Sequence, residues 1–250
     1  MDYTNFQKEF HNNNIHLYQM DCMELIKQTP DKFYDLAIVD PPYGINVTRM
    51  GFIKENNRAI KQKNGNNLRV KKLKYKNGNW DKIKPSTEYW NHLFRVSKHQ
   101  IIWGIKNFDL PGLGKGLITW NKCVPAGVSF KNYEHAYCSL IDKEIVFTFM
   151  WAGMCQGKSL LEPSIQQGNK QLNEKRIHPT QKPVKLYHWL LNNYAQEGDK
   201  ILDTHLGSGS IAIAAHYAGF ELTGCELDNY YFDAMKKRFL ECTEQLRIIF

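Results

Sequence analysis

The sequence contains no long apolar run and no paired-cysteine motif. A helix that spans a membrane needs about 20 predominantly apolar residues, and no segment of this chain reaches that length. The first residues include neither the basic nor the apolar stretch of a secretory signal, so we expect none. The six cysteines include no C-x-x-C pair, which predicts reduced thiols in a cytoplasmic protein without membrane or metal sites.

The length and the charge of the chain indicate how many domains it forms and where its positive charge lies. The chain has 250 residues, of which 42% are hydrophobic and 13% aromatic, so we predict one folded domain over residues 1–250. The formal net charge is +8, and it is unevenly distributed. Residues 44–82 contain eleven basic and two acidic side chains, which leaves 22 basic and 23 acidic residues elsewhere. The positive charge therefore belongs to one segment of an otherwise nearly neutral chain.

The basic segment, residues 44–82, is also rich in asparagine and glycine, which favour turns over long helices. Concentrated positive charge is typical of a surface that binds nucleic acid. A solvated surface insertion of the same composition is the alternative. The candidate nucleic-acid-binding residues are Arg49, Lys54, Arg58, Lys61, Lys63, Arg69, Lys71 and Lys72.

Predicted strands alternate with predicted helices along most of the chain. Residues 34–39 form a nearly continuous apolar run that stops at two prolines, which is typical of a strand buried on both faces. Residues 200–226 give a strand, a helix and a second strand. These patterns predict an α/β fold with a doubly wound, mostly parallel sheet and helices on both faces. Residues 44–82 and 151–177 are predicted to be insertions.

A glycine-rich turn opens the predicted helix in this last unit. Gly207 and Gly209 follow the strand-ending Asp203, and Glu226 ends the next strand. Glycines allow a ligand to approach the backbone, and an acid at the next strand end is placed to accept hydrogen bonds from ribose hydroxyls. The combination predicts a cofactor that contains adenosine, with an ordinary strand-to-helix turn as the alternative. Ala212 replaces the third glycine of a nicotinamide-binding motif, which argues against that cofactor.

Asp40, Pro41, Pro42 and Tyr43 follow the buried strand at the edge where open α/β sheets bind ligands. The two prolines make the turn stiff and leave the Pro41 carbonyl without a ladder partner. A carboxylate, a free carbonyl and an aromatic ring can together hold a planar ring that carries an amine. A strand-ending turn with a core tyrosine is the alternative.

A third motif contains His178, Thr180 and Lys182 and comes just before a predicted helix at residues 184–194. Helix N–H groups, a hydroxyl and an ammonium group can bind a carboxylate. The alternative is an exposed helix start that contains two prolines. Glu134 and His135 precede a predicted strand at residues 136–141, and they are either catalytic or simply a polar entry to that strand.

Taken together, the three motifs resemble those of the S-adenosylmethionine-dependent DNA amino-methyltransferases, in their permuted beta group. The motif order matches that group, with residues 40–43 first, then 178–183, then 203–210 and Glu226. The resemblance covers most of the chain outside the two insertions. It implies a seven-stranded type of methyltransferase sheet and a target-recognition segment at residues 151–177. One departure is the pair Thr204–His205, where the family usually has Pro-Phe.

The resemblance also implies a reaction. A methyl group would pass from S-adenosylmethionine to the exocyclic N6 amine of an adenine flipped out of double-stranded DNA. Adenine is favoured because Asp, rather than Ser, occupies the first catalytic position; cytosine N4 is the alternative. The implied catalytic residues are Asp40, Pro41, Pro42 and Tyr43. The implied cofactor-binding residues are Asp21, Cys22, Asp40, His178, Thr180, Lys182, Asp203, His205, Gly207, Ser208, Gly209 and Glu226.

Other functions stay open at this point. The resemblance implies that Asp21 contacts the adenine of the cofactor; a helix N-cap is the alternative, and the two roles can coexist. An RNA or protein methyltransferase is one rival class. A nucleic-acid-binding protein without activity, on a methyltransferase scaffold altered at Thr204 and His205, is another. A restriction-modification role, a homodimer and a partner restriction endonuclease are further expectations from the resemblance.

Overall fold

The computed structural model describes residues 3–45, 60–61, 67–68, 81–125, 131–153, 155–166 and 169–244. The strands are β1 (Lys8–Asn12), β2 (Ile15–Gln19), β3 (Tyr34–Val39), β4 (Ile60–Lys61), β5 (Asn67–Leu68), β6 (Ser97–Trp103), β7 (Leu117–Asn121), β8 (Tyr133–Cys138), β9 (Glu144–Thr148), β10 (Trp151–Ala152), β11 (Cys155–Gln156), β12 (Lys200–Asp203) and β13 (Glu221–Glu226). The α-helices are α1 (Cys22–Gln28), α2 (Thr87–Val96), α3 (Val184–Tyr194), α4 (Ser210–Ala218) and α5 (Asn229–Glu244).

Nine strands form the main sheet, in the order β1-β2-β13-β12-β3-β6-β8-β7-β9. Neighbouring strands are parallel from β2 to β6 and between β7 and β9. They are antiparallel where β1 meets β2 and where β8 lies between β6 and β7. The predicted fold class is therefore confirmed, with nine strands rather than seven. Because β2, β13, β12 and β3 are parallel, their carboxyl ends lie at the same edge of the sheet.

Helices cover both faces of this sheet. Alternate residues of β3 belong to two different hydrophobic clusters, because successive side chains of a strand point to opposite faces. Leu36 and Ile38 pack with apolar residues of α3, α4 and α5. Ala37 and Val39 pack with apolar residues of α1 and α2. The continuous apolar run that the sequence shows here thus reflects burial on both faces, as predicted.

The two predicted insertions differ in how much of them is described. Within residues 44–82, β4 and β5 pair as an antiparallel hairpin. The eight candidate nucleic-acid-binding side chains lie outside the described residues; only the backbone of Lys61, in β4, is described. Residues 151–177 begin with the hairpin of β10 and β11.

The described residues also bear on the expectations about membranes, metals and thiols. None of their helices has the length and apolar character that a membrane crossing requires. In the same part of the chain, no group of three or more histidine, cysteine and acidic side chains is arranged to hold a metal ion. All six cysteines are free thiols, and Cys138 and Cys225 are buried.

Candidate functional site

A pocket opens at the carboxyl ends of β2, β3, β12 and β13. Ten of the twelve predicted cofactor-binding residues line it, the exceptions being Asp203 and Gly209. The pocket is lined by Met20, Asp21, Cys22, Asp40, Pro42, His178, Thr180, Gln181, Lys182, Tyr187, Thr204, His205, Leu206, Gly207, Ser208, Glu226, Leu227 and Tyr231. All three sequence motifs therefore meet at one place, although up to about 190 residues separate them along the chain.

The glycine loop between β12 and α4 has the backbone conformation that glycine favours. Gly207 has φ 51° and Gly209 has φ 68°, both in the left-handed region. A Cβ atom on Gly209 would lie 2.2 Å from Cγ of the buried Met235, so a larger residue would also clash with α5. The amide of Gly207 donates a hydrogen bond of 2.9 Å to Oε2 of Glu226. The loop is thereby fixed to the end of β13.

Glu226 is an acceptor that faces this pocket. Its other oxygen, Oε1, accepts a hydrogen bond of 2.8 Å from the amide of Asp228. Each carboxylate oxygen has a second lone pair, so both can still accept a hydrogen bond from a ligand. Burial raises the pKa of Glu226, while the amides of Asp228 and Gly207 lower it; burial is the larger effect.

Asp21 performs the helix-capping role that the sequence left as an alternative. Its side chain accepts a hydrogen bond of 2.8 Å from the amide of Met23 and so begins α1. Asp21 also lines the pocket, which leaves its second oxygen available to a ligand. Its predicted contact with an adenine ring stays a prediction.

The pair Thr204–His205 forms a hydrogen-bonded group against the same pocket. Thr204 Oγ1 lies 2.7 Å from the hydroxyl oxygen of Tyr89 and 2.9 Å from Nδ1 of His205. Nε2 of His205 lies 3.9 Å from the sulfur of Cys22. Burial lowers the pKa of His205 to about 4 and raises that of Cys22 to about 12, so both are uncharged near neutral pH. The polar side chains of Thr204 and His205, which replace the usual Pro-Phe pair, thus have hydrogen-bonding partners in this chain.

Charged side chains gather on the Asp40 side of the pocket. The Tyr43 hydroxyl donates a hydrogen bond of 2.5 Å to Oδ1 of Asp40, and Nζ of Lys182 donates to Oδ2. The same ammonium group lies 3.4 Å from Oε2 of Glu134. Oε1 of Glu134 forms an ion pair of 2.9 Å with Lys122. We call Asp40, Lys182, Glu134 and Lys122 the charge cluster.

Pairing with opposite charges keeps Glu134 and Lys182, two members of the charge cluster, ionised. Burial would raise the pKa of Glu134, but Lys182 and Lys122 outweigh it and lower that pKa to about 2. Burial would lower the pKa of Lys182, but Asp40 and Glu134 outweigh it and raise that pKa. The sequence predicted that Lys182 binds a cofactor carboxylate. In the structure its ammonium group is held by two carboxylates of the chain itself.

Tyr43 is held in a fixed orientation beside this cluster. Its backbone amide and that of Gly44 donate to the same oxygen of Asp81, at 2.7 and 3.1 Å. Its ring packs against Gly104, where a Cβ atom would lie 2.1 Å from Cε1 of the ring. Phe108 makes an edge contact with the ring, at 6.0 Å between centroids. The turn after β3 is therefore rigid, as its two prolines predict.

The start of α3 differs from the predicted anion site. The amide of Val184 already donates to the carboxylate of Glu174, at 3.0 and 3.3 Å. A carboxylate of the chain thus occupies the first helix amide, so that group is not available to a ligand. His178 and Thr180 nevertheless line the pocket, with Nδ1 of the imidazole 3.1 Å from the hydroxyl oxygen. Burial, together with Lys182, lowers the pKa of His178 to about 3.

Glu174 also connects the 151–177 segment to the glycine loop. One of its oxygens accepts a hydrogen bond of 2.9 Å from the buried Arg238. Arg238 donates a second hydrogen bond, of 2.8 Å, to the backbone carbonyl of Ser208. Within the segment, Leu161 is 94% exposed and Leu172 is 61% exposed. The segment therefore has an anchored end and an exposed middle.

Several residues of this site were not singled out from the sequence. Lys122 and Glu174 are the charged examples; for Glu134 the sequence left open a catalytic role or a polar entry to a strand. The uncharged pocket-lining examples are Met20, Gln181, Tyr187, Leu206, Leu227 and Tyr231. No sequence pattern pointed to Lys122, which lies two residues beyond the apolar run at residues 117–120.

The chain matches the family model described as DNA methylase over residues 59–237. It is 26% identical over 259 residues to the type II methyltransferase M.HinfI of Haemophilus influenzae, an alignment that covers 88% of this chain and 67% of that relative. It is 24% identical over 258 residues to the type II methyltransferase M2.DpnII of Streptococcus pneumoniae, covering 92% of this chain and 91% of that relative.

Two solved structures are similar in fold. The M1.HpyAVI–SAM complex has a TM-score of 0.51 and 20% identity, over 90% of this chain and 99% of that one. The PvuII DNA methyltransferase, described as cytosine-N4-specific, has a TM-score of 0.55 and 14% identity, over 96% of this chain and 94% of that one. At these identities, the similarity concerns the fold alone.

Proposed function

Because the chain belongs to the DNA methylase family, whose model it matches over residues 59–237, we propose that it is a DNA adenine-N6 methyltransferase. The family depends on S-adenosylmethionine, which confirms the cofactor predicted from the sequence. One observation carries the proposal. Asp40, an acceptor for an amine, lines the same pocket as Glu226 and Gly207, which are suited to bind a nucleoside.

The residues of the pocket fit S-adenosylmethionine. Glu226 and Asp21 offer carboxylate oxygens to hydroxyl and amino groups, and the glycine loop admits a ligand close to its backbone. Met20 and the 66% exposed Leu227 add apolar surface for a flat ring. When bound, S-adenosylmethionine would supply a methyl group on a positively charged sulfur, which keeps the electron pair of the broken bond and becomes a neutral thioether. The target amine would gain the methyl group, and its proton would pass to Asp40 or to water.

The residues after β3 act on the amine in this proposal. The lone pair of an exocyclic amine is delocalised into the ring, so the amine is a weak nucleophile. Hydrogen bonds from its two hydrogens to the Asp40 carboxylate and the Pro41 carbonyl would localise that lone pair on nitrogen. The fixed ring of Tyr43 gives a surface on which a base that has left the helix can stack. These groups contribute by alignment and hydrogen bonding.

DNA would enter beside Tyr43, because the basic segment follows it directly in the chain. Its lysines and arginines would neutralise phosphates, which position a protein on DNA without reading the sequence. The exposed middle of residues 151–177 would contact base edges. Double-stranded DNA as the partner, a homodimer, a partner restriction endonuclease and a cytoplasmic location remain predictions of the same proposal.

Methyl transfer from labelled S-adenosylmethionine tests the proposal directly. The purified chain is incubated separately with DNA, RNA and protein, and the labelled products are hydrolysed and separated. We expect label in DNA, as N6-methyladenine. Label in N4-methylcytosine alone would contradict the choice of base, and label only in RNA or protein would contradict the choice of substrate. Cofactor binding by calorimetry without any transfer would favour the rival binding protein.

Salt dependence tests the role of the basic segment. If its side chains contact phosphates, the logarithm of the DNA association constant should fall with the logarithm of salt concentration, by about 0.9 per phosphate contacted. Replacing Lys61, Lys63, Lys71 and Lys72 with alanine should make that slope shallower by several units. An unchanged slope would remove the segment from DNA binding.

A further inference from the structure

Each oxygen of the Asp40 carboxylate already accepts from one donor; a second lone pair remains on each, but the ammonium charge of Lys182 makes the carboxylate a weaker acceptor for an amine. Oδ1 accepts from the Tyr43 hydroxyl, and Oδ2 accepts from Lys182. The proposed reaction needs Asp40 to accept a hydrogen bond from the target amine. Tyr43 is fixed by Gly104 and by the backbone contacts to Asp81. Lys182 has a long side chain with four rotatable bonds, so it is the donor better able to move.

A buried ammonium group can leave one carboxylate only if another negative charge remains beside it. Glu134 provides that charge, because its Oε2 atom lies 3.4 Å from Nζ of Lys182. Lys122 holds the other oxygen of Glu134 at 2.9 Å and so fixes its position. The ring of Trp103, 5.3 Å from the same ammonium group, adds an aromatic surface that favours a cation.

We propose that Glu134 is a positioning residue for methyl transfer. When the target amine binds Asp40, the ammonium group of Lys182 leaves Asp40 and pairs with Glu134 instead. The inference rests on the proposed function, because it requires an amine that donates to Asp40. The charge cluster contains two acids and two bases, so the exchange of partners leaves its net charge unchanged. The carboxylate that must receive Lys182 is already in place before the amine arrives.

A double-mutant cycle tests this role. The single-turnover rate of methyl transfer is measured at saturating DNA and S-adenosylmethionine for Glu134→Gln, Lys182→Met and the double variant. In the native background, Glu134→Gln should lower the rate at least about tenfold, because Lys182 would stay on Asp40. In the Lys182→Met background, the same change should lower it less than about threefold, since no ammonium group remains to be displaced.

Equal losses in the two backgrounds would show that Glu134 only supports the fold and would overturn the inference, as would no loss in either. The affinity of Glu134→Gln for S-adenosylmethionine should stay within about threefold of the native value, which separates turnover from cofactor binding. Glu144→Gln, a change of an exposed glutamate on β9 that accepts from Thr119, is the matched control and should leave the rate unchanged.

A second variant covers the case in which Glu134→Gln does not fold. Glu134→Asp keeps the negative charge and should retain a rate within about fivefold of the native one; a folded Glu134→Asp variant whose rate falls about tenfold or more would overturn the inference. Failure of the proposed function gives a different result. The unchanged chain would then transfer no methyl group to DNA, which would overturn both proposals together.

Discussion

Backbone groups define one side of the pocket, whereas charged side chains define the other. At the ends of β12 and β13, the amide of Gly207 is tied to Glu226, and Gly209 fits against α5 where no larger residue can. On the other side, Lys182 reaches Asp40 at the end of β3 and has Glu134 as a second carboxylate partner. The first side has a single arrangement, while the second can exchange contacts.

This difference corresponds to two tasks. A cofactor that is bound in the same way in every cycle is best held by groups that do not move, because no free energy is then spent on rearrangement. A reacting amine arrives and leaves, so the groups that accept it must change partners. Substitutions on the glycine-loop side should therefore affect stability and cofactor affinity, whereas substitutions on the Asp40 side should affect turnover.

The largest expected effect is that of Asp40→Ala. Without the acceptor for the amine, the rate of methyl transfer should fall at least about a thousandfold. The dissociation constant for S-adenosylmethionine, measured by calorimetry, should change less than about threefold. Asp142→Ala, a change of an exposed aspartate after β8, is the control and should have native activity. Retained activity in Asp40→Ala would remove this residue from the mechanism.

Gly209→Ala tests the backbone side. The left-handed conformation and the clash with Met235 should together lower the free energy of unfolding by about 3 kcal/mol, as measured by chemical denaturation. Gly219 also has a positive φ, of 78°, but a Cβ atom there would meet no atom within 4 Å. Gly219→Ala should thus cost only about 1 kcal/mol. Equal losses for the two variants would mean that close packing does not restrict the loop.

Glu226→Gln should weaken the binding of S-adenosylmethionine by about tenfold to a hundredfold, the loss typical of a hydrogen bond to a charged group. The rate at saturating cofactor should stay within about threefold of the native one. Glu221→Gln, at the opposite end of the same strand, is the matched control and should bind as the native chain does. A reduced rate with unchanged affinity would contradict the division of tasks between the two sides.

The smallest expected effect concerns Asp203, which lies between the two sides. Its pKa is raised to about 8, chiefly by burial and also by the nearby charges of Asp40 and Glu226. The hydrogen bond from the His205 amide acts in the opposite direction. The unfolded carboxyl group ionises near pH 3.8, so between pH 3.8 and pH 8 the folded state binds more protons. The contribution of Asp203 to stability should consequently fall as the pH rises through that range, by about 1 kcal/mol between pH 6 and pH 7.

Asp203→Asn removes this titration while keeping an oxygen that can accept from the His205 amide. In the absence of cofactor, the free energy of unfolding of the native chain should fall relative to that of the variant by about 1 kcal/mol as the pH rises from 6 to 7. Denaturant midpoints at the two pH values measure the difference. If the two slopes are equal, the Asp203 carboxyl group is ionised in the folded state throughout this range.

The location of the pocket could be predicted from the sequence because its motifs lie at strand ends. Parallel strands bring their carboxyl ends to one edge, so Asp40, Gly207 and Glu226 had to lie near one another once the sheet was predicted. The order of the strands and the edge strand β1 were not predicted. β1 is mostly polar, and a polar edge strand has no apolar alternation by which to be recognised.

The charge cluster could not be predicted, because antiparallel pairing creates it. Glu134 lies opposite Trp120 in the ladder between β7 and β8, and this register brings it beside Lys122. The predicted strand at residues 136–141 is observed at Tyr133–Cys138, so Glu134 is part of the strand rather than its approach. Glu174 was missed for a related reason. It lies in a segment without periodicity, and its partner Arg238 is 64 residues away.

The most direct test of the account is to sequence the modified bases in DNA from cells that express this chain. We predict N6-methyladenine within one short recurring sequence, and none in cells that express Asp40→Ala. N6-methyladenine that persists in the Asp40→Ala cells would contradict the role given to the Asp40 side of the pocket. DNA without any modified base in cells that contain the folded native chain would contradict the proposed function itself.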